Sequence, residues 1–440
     1  MDTPICDFVK NYIKKGYSRF HMPGHKGKGG FYKYDVTEIN GADVLYNSDG
    51  IIEASRQNAT KLFESFATFY STEGSSLSIK AMVGAVCDGV TEPLILAGRN
   101  SHKAFIYACA LLNVEVSWLY PKSSGHLTEC AITPDVLQNN LKNAPRLPTA
   151  VYLTSPDYLG NTLDIKGLSE VCKSFNIPLL IDNAHGAYLK FLTPSMHPIS
   201  LGATMCVDSA HKTLPVLTGG GYLHIAKNGA KYLEAVKRLL PTFASTSPSY
   251  LILQSLDRAN LILSKNFTKK INKTIAKLNA IKTVLAKNGV SFIDDEPLKL
   301  SVAVAKNGYT YTDFCDLLRK FNIEAEFIDC DYAVFMVSPF NGGLDFLRLK
   351  LALSTIKPKA QIKDTPVNLT VGERKLSVKD AVFSKQIVVN VDESLGKICA
   401  SVTVSCPPAV PIVICGEVIT QTHISLFKRY GIKTVSVVVD

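Results

Sequence analysis

A lysine and an aspartate in the middle of the chain have the types and settings that imine chemistry requires. Lys212 lies in the run SAHKTLPVLTGGGYLHI, residues 209–225, and Asp182 ends the apolar stretch IPLLID. A lysine amine forms an imine with a cofactor aldehyde, and a carboxylate holds a pyridine nitrogen protonated so that the ring can accept electrons. The pair predicts a pyridoxal phosphate (PLP) site with the Schiff base on Lys212.

The surroundings of both residues support this interpretation. A carboxylate at the end of an apolar strand is costly to bury unless a positive group meets it. A pyridinium would meet Asp182, and a structural ion pair with a lysine or arginine is the alternative. Ala184 leaves room beneath the cofactor ring. Lys212 is followed by Thr-Leu-Pro and by glycines at 219–221, so it is not on a long helix, and an ordinary solvated lysine fits this setting poorly.

A glycine and serine turn upstream could bind the cofactor phosphate. Residues 71–79 read STEGSSLSI, where Gly74, Ser75 and Ser76 precede an apolar-patterned helix. Such a turn supplies oriented N–H and hydroxyl donors to an anion, and Ser209 could do the same just before the lysine. Taken alone, a serine or glycine helix cap without a ligand explains the turn as well. The phosphate role depends on its combination with the lysine and the aspartate.

Two histidines are further candidates. His102 follows a predicted strand and a Gly-Arg turn, which predicts a position in the first turn of a helix, where its flat ring could stack on a pyridine. His211 is adjacent to the lysine and could donate to the phosphate or act as an acid toward the substrate. A surface histidine and a satisfied neighbour of a turn are the respective alternatives.

No metal site is predicted. His21 and His25 are four positions apart, but Met-Pro-Gly between them breaks any helix that would pair them. The run GHKGKGG, residues 24–30, lacks the spacing of a P-loop, and no GxGxxG follows a strand.

The alternation of short apolar runs and helical patterns between about residues 60 and 225 predicts an α/β fold with a mostly parallel sheet. Ligands of such sheets gather at the carboxyl ends of the strands. The predicted strands are Leu94–Ala97, Val114–Leu119, Ala150–Thr154, Ile177–Asp182, Thr204–Asp208 and Gly221–Ala226.

Changes of pattern along the 440 residues divide the chain into five segments. These are an N-terminal segment 1–55, a cofactor-binding large domain 56–265, a small α+β domain 266–355, a linker 356–366 and a mainly strand-like C-terminal unit 367–440.

The net charge of +10 has a local source in residues 266–289, where an apolar stripe recurs at helical spacing. Lysines 269, 270, 273, 277 and 282 fall mostly away from that stripe, as on a solvated helix face. No aromatic residues are interleaved with the charge, so nucleic-acid binding is not expected.

Composition indicates a cytoplasmic protein without a membrane segment. The chain is 46% hydrophobic and 20% charged, and it has neither an apolar run of membrane-spanning length nor a signal-peptide pattern at its start. Its eleven cysteines fall mostly in apolar runs without a CxxC pair, which is typical of buried thiols in a reducing compartment.

With these motifs the chain resembles a known family, the Orn/Lys/Arg decarboxylases of the aspartate-aminotransferase fold (fold type I). The shorter bacterial arginine, lysine and ornithine decarboxylases are the most similar in pattern. The resemblance runs nearly end to end, through EGSS, NSHKA, SPDYLG, IDNAHG and SAHK. It is also carried by RFHMPGHKGKG (19–29), DVTEINGADVLYNSDGII (35–52), STSPSYLILQSLDRA (245–259) and SCPPAVPIVICGEVIT (405–420). HMPGHK is the most specific of these motifs, because general aminotransferases lack it.

The resemblance implies roles for individual residues. Lys212 would carry the Schiff base, Asp182 would face the pyridine nitrogen and His102 would stack on the ring. Ser75, Ser76, Ser209 and His211 would lie around the phosphate, and Ala184 and His185 would also contact the cofactor. Family members are homodimers or larger assemblies, so the STSPSY run is expected to reach a neighbouring subunit's cofactor.

Three positions depart from the family pattern. Asp157 stands where threonine is common, Ala104 where serine is frequent, and Ala409 where a Pro-Pro-Gly is usual. The first puts a contact to the ring substituents in doubt, and the last a backbone turn of the C-terminal unit.

The predicted function is PLP-dependent decarboxylation of a basic L-amino acid, arginine before lysine or ornithine, in polyamine metabolism. A distal ammonium or guanidinium needs a carboxylate, for which Asp43, Glu38 and Glu417 are candidates. The alternatives are another fold type I reaction such as aminotransfer or β-elimination, a non-enzymatic cofactor-binding homologue, and a nucleic-acid-binding protein.

Overall fold

The computed structural model describes residues 1–121, 125–362, 367, 369, 372–402 and 409–439. The α-helices, in chain order from α1 to α14, are Pro4–Lys15, Ile51–Phe63, Gly74–Cys87, Lys103–Leu112, Pro134–Lys142, Ile165–Ser174, Ala210–Thr213, Leu233–Phe243, Tyr250–Leu263, Phe267–Lys287, Tyr311–Lys320, Gly343–Ser354, Val378–Phe383 and Gln421–Arg429. The strands, from β1 to β13, are Ala67–Ser71, Leu94–Gly98, Glu115–Leu119, Ala150–Thr154, Leu179–Asp182, Met205–Asp208, Gly221–Ile225, Phe292–Ile293, Lys299–Ala303, Phe327–Ile328, Tyr332–Met336, Gln386–Asn390 and Thr434–Val438.

The chain divides into two compact units. The first comprises Met1–Gly89 and Ile165–Lys270, and the second comprises Val90–Asp164 and Ile271–Asp440. In the first unit the strand order is β1-β7-β6-β5, with β5 and β6 parallel and β7 antiparallel to both of its neighbours. The parallel pair brings the carboxyl ends of β5 and β6 to one edge, which is where the candidate chemistry lies.

The second unit contains three parallel strands in the order β4-β2-β3. All six predicted strands are present, with ends shifted by at most two residues, so the predicted α/β organisation is confirmed. Strand β1 was not predicted. Its five residues include the polar Thr68, which is buried and pairs with His224 of β7, so neither an apolar run nor an alternation marks the strand.

A second, antiparallel sheet follows helix α10, with the order β10-β11-β9-β8. It packs with α11 and α12 around a core that includes Leu278, Val302 and Phe314. Helix α10 carries the lysine-rich face, and its lysines 269, 270, 273 and 277 are exposed as expected. Lys282 is buried and its Nζ lies 2.6 Å from Asp294 Oδ1, so its assignment to the solvated face was wrong.

The described part of the C-terminal segment is more mixed than its sequence suggested. Strands β12 and β13 form an antiparallel pair, but the segment also contains the helices α13 and α14. The run 401–419, part of the segment predicted as mainly strand-like, contributes in its described part only isolated bridges such as Ile398–Val418. Residues 403–408 of that run and 363–366 of the predicted linker lie outside the described residues. The segment boundaries therefore stay predictions.

Within the described ranges, none of the helices combines the length and the apolar character needed to cross a bilayer. Ten cysteines are described, all as free thiols, and eight of them are buried. Burial raises the pKa of the Cys172 thiol to about 12, which agrees with the prediction that the cysteines are buried thiols.

Candidate active site

The turns after β5 and β6 carry the predicted cofactor lysine and aspartate. Strand β5 ends at Asp182 and is followed by Asn-Ala-His-Gly, and β6 ends at Asp208, followed by Ser209 and the four-residue helix α7 with Lys212. Because β5 and β6 are parallel, both turns leave the sheet at the same edge. The short helix also agrees with the expectation that the lysine is not on a long helical face.

Lys212 contacts His185 directly. Its Nζ lies 2.9 Å from His185 Nε2, and the histidine is buried at 5% exposure. The backbone N–H of Lys212 donates to Ser209 O at 3.0 Å, which fixes the start of α7. A ring nitrogen at hydrogen-bond distance can accept a proton from an ammonium, so this pair has the geometry to exchange a proton at Nζ.

Asp182 is 2% exposed, as an aspartate that meets a buried cation would be. Its Oδ1 accepts the N–H of Ala184 at 3.2 Å, so the carboxylate and the small residue beneath the expected ring belong to one turn. This turn joins Asp182 to His185, and hence to the amine of Lys212.

The serine turn lies beside the lysine turn, as a phosphate site would require. Ser209 Oγ donates to Ser75 Oγ at 2.9 Å. The expectation that Gly74, Ser75 and Ser76 precede the helix was wrong, because α3 begins at Gly74 and both serines lie in its first turn. There they present hydroxyls beside backbone N–H groups that have no helical partner, an arrangement that binds anions.

The backbone segments around Gly74 and Gly219 lie so close together that a side chain would not fit between them. Gly74 has φ +69° and donates its N–H to Gly219 O at 2.7 Å. A Cβ on Gly219, whose φ is +98°, would lie 2.9 Å from the backbone oxygen of Thr72. His211 donates through Nδ1 to Gly220 O at 2.9 Å, so the orientation of its ring is set by the glycine run.

His102 lies in the second unit, where it is the N-cap residue of α4, one position before the predicted first turn. Its Nδ1 accepts the N–H of Ala104 at 3.1 Å. Ala104 therefore takes part in the helix cap through its backbone N–H. This contact does not need the serine that is frequent at this position in the family. The stacking role of His102 stays a prediction.

The loop that carries His102 is held by the C-terminal segment of the same unit. Arg99 is 2% exposed, and its guanidinium donates to Pro411 O at 2.7 Å and to Ile412 O at 2.9 Å. The N–H of Lys103 donates to Ala409 O at 3.1 Å. Ala409 has φ +58°, so an alanine adopts here the left-handed conformation for which the family usually has glycine.

Asp157, the departure that put a ring contact in doubt, has a structural role. Its Oδ1 accepts the N–H groups of Leu159, Gly160 and Asn161, each at 2.9 Å, and its Oδ2 accepts Asn161 Nδ2 at 2.7 Å. The carboxylate therefore closes the turn after β4. Burial nevertheless raises its pKa to about 6, because these hydrogen bonds only partly offset desolvation.

The three carboxylates considered for binding the substrate side chain differ in whether they already accept hydrogen bonds from the backbone. Asp43 accepts five backbone N–H groups, those of residues 44, 49, 50, 52 and 53, and so caps α2. Glu417 is buried and accepts the N–H of Ile414. Glu38 is exposed, and no hydrogen bond engages its carboxylate within the described residues.

One buried cluster was not found from the sequence. Asp208 is fully buried and contacts His197, His224 and Asn183. The signal was present, because Asp208 ends the apolar strand MCVD as Asp182 ends IPLLID. What no pattern indicated is that its partners come from three other segments of the chain.

Solved structures share this fold. The constitutive lysine decarboxylase of Escherichia coli aligns with a TM-score of 0.80 and 17% identity over 100% of this chain and 82% of that chain. A structure of SPT with PLP aligns with a TM-score of 0.57 and 12% identity over 72% and 80%. The chain therefore has the aspartate-aminotransferase fold (fold type I), as its sequence predicts.

Sequence comparison is more specific. A family model described as Orn/Lys/Arg decarboxylase, major domain, matches residues 3–301. An arginine decarboxylase of Bacillus subtilis is 28% identical over 97% of this chain and 94% of its own length. The constitutive lysine decarboxylase of E. coli is 24% identical over 62% of this chain and 42% of its own length. The protein belongs to the Orn/Lys/Arg decarboxylase family and is an amino acid decarboxylase.

Proposed function

We propose that this protein decarboxylates a basic L-amino acid, arginine before lysine or ornithine, with PLP on Lys212. The observation that carries the proposal is the 2.9 Å contact between Lys212 Nζ and His185 Nε2, on two adjacent turns with Asp182 at the start of one. Arginine is favoured because the arginine decarboxylase relatives match nearly full length, whereas the lysine decarboxylases match a shorter part of the chain.

The residues present fit the cofactor. The first turn of α3, Ser209 and the glycines around Gly219 form a cradle that a Cβ would fill, and its hydroxyl and N–H donors suit a phosphate. Asp182 suits a protonated ring nitrogen, and Lys212 suits an aldehyde. When bound, PLP supplies an electron sink for the pair left by the departing carboxylate.

Each side chain would have a separate task. Lys212 holds the cofactor and moves a proton at Nζ, with His185 Nε2 as the group that receives or returns it. Asp182 would keep a proton on the ring nitrogen, and the family resemblance assigns to His102 the role of covering one ring face. His211, with Nδ1 committed to Gly220 O, has only Nε2 left to direct at the phosphate or the substrate.

Recognition of the distal cation is proposed for Glu38, because the carboxylates of Asp43 and Glu417 already bind backbone N–H groups. A Glu38→Gln variant is expected to raise KM for arginine with little change in kcat, as loss of binding made equally in ground and transition state does. An unchanged KM would exclude Glu38.

We also infer a homodimer in the cytoplasm that supplies amines for polyamine synthesis. The backbone N–H of Ser245, at the start of the STSPSY run, donates to Glu73 Oε1 of the same chain at 2.8 Å, so this end of the run lies beside the N-terminus of its own α3. That the run reaches a neighbouring subunit's cofactor stays a prediction. Sedimentation of the cofactor-loaded protein tests the dimer, and a monomer with full activity would contradict it.

The function is tested by incubating the loaded protein separately with arginine, lysine and ornithine and identifying the products. We expect amine and CO₂, fastest from arginine, and no keto acid. Borohydride reduction followed by peptide mass analysis should locate the cofactor on Lys212. Keto acid in place of amine would support an aminotransferase, and a label on another lysine would refute the assignment of Lys212.

A further inference from the structure

A buried cluster lies directly behind the two turns of the active site. Asp208 is fully buried, and its Oδ2 lies 3.1 Å from His197 Nε2 and 3.2 Å from His224 Nε2. Its Oδ1 accepts Asn183 Nδ2 at 2.6 Å. The second nitrogen of His224 bonds to Thr68 Oγ1 at 2.8 Å. The carboxylate thus has three donors from three separate segments of the first unit.

These donors keep Asp208 ionised. Burial alone would raise its pKa, but the two histidines and their hydrogen bonds outweigh that effect and hold the pKa below the ordinary value. Burial lowers the pKa of His224, so at neutral pH that ring is neutral and donates through Nε2. A buried anion whose three donors are fixed in the core is rigid, because moving any partner leaves a charged group unpaired.

The cluster connects to the chemistry through Asn183. This residue follows Asp182 and precedes Ala184 and His185, and its backbone N–H donates to Val207 O at 2.9 Å. The turn is packed tightly on it, since a Cβ on Gly186 would lie 2.0 Å from Asn183 Oδ1. Asp208 itself precedes Ser209, the residue before the helix of Lys212.

We propose that Asp208 is a positioning residue, held by His197 and His224, that fixes Asn183 and thereby sets Asp182 and His185 relative to Lys212. The inference rests on the proposed function, because it assigns these turns to the cofactor. It adds a second set of residues behind these turns. The buried carboxylate of Asp208, at the end of β6, connects that strand to the turn that follows Asp182.

The same three side chains could also hold a divalent cation, since their ligand atoms lie within 4.8 Å of one another. The distances from Asp208 to its partners are those of hydrogen bonds, and Oδ1 already has a donor in Asn183. All three side chains are fully buried, so an ion would have no open path. We therefore favour the hydrogen-bonded anion.

The test replaces Asp208 by asparagine, which keeps the shape but removes the charge and one acceptor. Asn183→Ala is the second variant, because it cuts the link and leaves Asp208 with both histidines. Asp257→Asn is the matched control. Asp257 is also fully buried in the first unit, but it binds Ser55 Oγ at 2.7 Å and the N–H of Cys6, away from the turn.

Three quantities are measured: the Kd for PLP, the visible circular dichroism of the bound cofactor, and deuterium exchange of residues 183–186 in the cofactor-free protein. We expect both Asp208→Asn and Asn183→Ala to raise the Kd roughly tenfold or more, change the dichroism and speed the exchange. Asp257→Asn should lower the Tm and leave all three unchanged.

Wild-type values in Asn183→Ala would overturn the proposal even if Asp208→Asn fails to fold. The same changes in Asp257→Asn would also overturn it, because they would then report general destabilisation. One equivalent of metal in the purified wild type, lost in Asp208→Asn, would assign the cluster to a cation instead. If wild type binds PLP but forms no amine, the proposed reaction fails and these three readouts still decide the role of Asp208.

Discussion

Buried carboxylates of this protein owe their protonation to the kind of donor they meet. Asp208 meets two histidines and an amide, and its pKa falls despite full burial. Asp157 meets only backbone and amide N–H groups, and its pKa rises to about 6. Desolvation is common to both, so the histidines make the difference. Of these two carboxylates, Asp208 is the one that stays ionised over the wider pH range, which suits a residue that must hold its partners in place.

Stability near pH 5 should depend on His423, a buried residue of α14. Burial and the nearby Arg99 lower its pKa to about 4 from 6.5. Between these values the unfolded chain binds a proton that the folded chain does not, so the free energy of unfolding falls as the pH falls. His423 Nδ1 accepts the N–H of Thr420, and glutamine at this helix position makes the same bond.

His423→Gln should therefore remove about 2 kcal/mol of the stability lost by wild type between pH 7 and pH 5. Urea unfolding of both proteins at the two pH values measures it. Parallel pH dependence of wild type and variant would show that His423 titrates normally in the folded protein.

The left-handed conformation of Ala409 gives a second prediction for a single residue. At its φ of +58°, a residue with a side chain has a conformational strain of about 1–2 kcal/mol. Glycine has no such strain there, but it loses more chain entropy on folding. Ala409→Gly should be neutral or stabilise by up to about 1 kcal/mol, and Ala409→Val should destabilise by about 2 kcal/mol. Denaturant midpoints of the two variants test the order, and a more stable valine variant would contradict it.

Among the secondary-structure elements, the ends of strands and the turns that follow them could be predicted from the sequence. Contacts between residues distant in sequence could not. Apolar runs predicted β2 to β7 because buried parallel strands need apolar side chains on both faces. Strand β1 was missed because its Thr68 is satisfied by His224, a contact that no local pattern contains. Lys212 and Asp182 were found because their local sequence marks them. The cluster around Asp208 was not found because its contacts join residues distant in sequence.

The loop before α4 gives a prediction at this scale. Arg99 connects it to residues 411 and 412, and the N–H of Lys103 bonds to Ala409 O. Arg99→Ala leaves two buried carbonyls without their charged donor, so the free energy of unfolding should fall by about 3 kcal/mol. Deuterium exchange at Lys103 should also become faster.

Arg319→Ala is the control for this prediction, because Arg319 is an exposed arginine of the same unit that pairs with an exposed Asp316. Its effect should stay below about 1 kcal/mol. Equal effects of the two substitutions would show that the C-terminal segment does not hold the His102 loop.

For the whole molecule, composition indicates a globular chain, and the net charge of +10 has its main source in the lysines of one helix face. Neither quantity identifies a reaction. The reaction class depended on a few residues of the first unit whose chemistry is local, and the family motifs narrowed it to decarboxylation. Substrate choice was not readable in the same way, because no spacing rule connects a proposed recognition residue such as Glu38 to Lys212.

Cofactor binding should be visible in the stability of the whole protein. A ligand that binds only the folded state stabilises it by about 2.7 kcal/mol at one hundred times its Kd. PLP should therefore raise the Tm of the wild type, and much less that of Lys212→Ala, which keeps the phosphate cradle but has no amine for the aldehyde. Inorganic phosphate at the same concentration controls for anion binding at α3. If PLP raised the Tm of both proteins equally, its binding would not involve Lys212, and another lysine would have to be sought for the Schiff base.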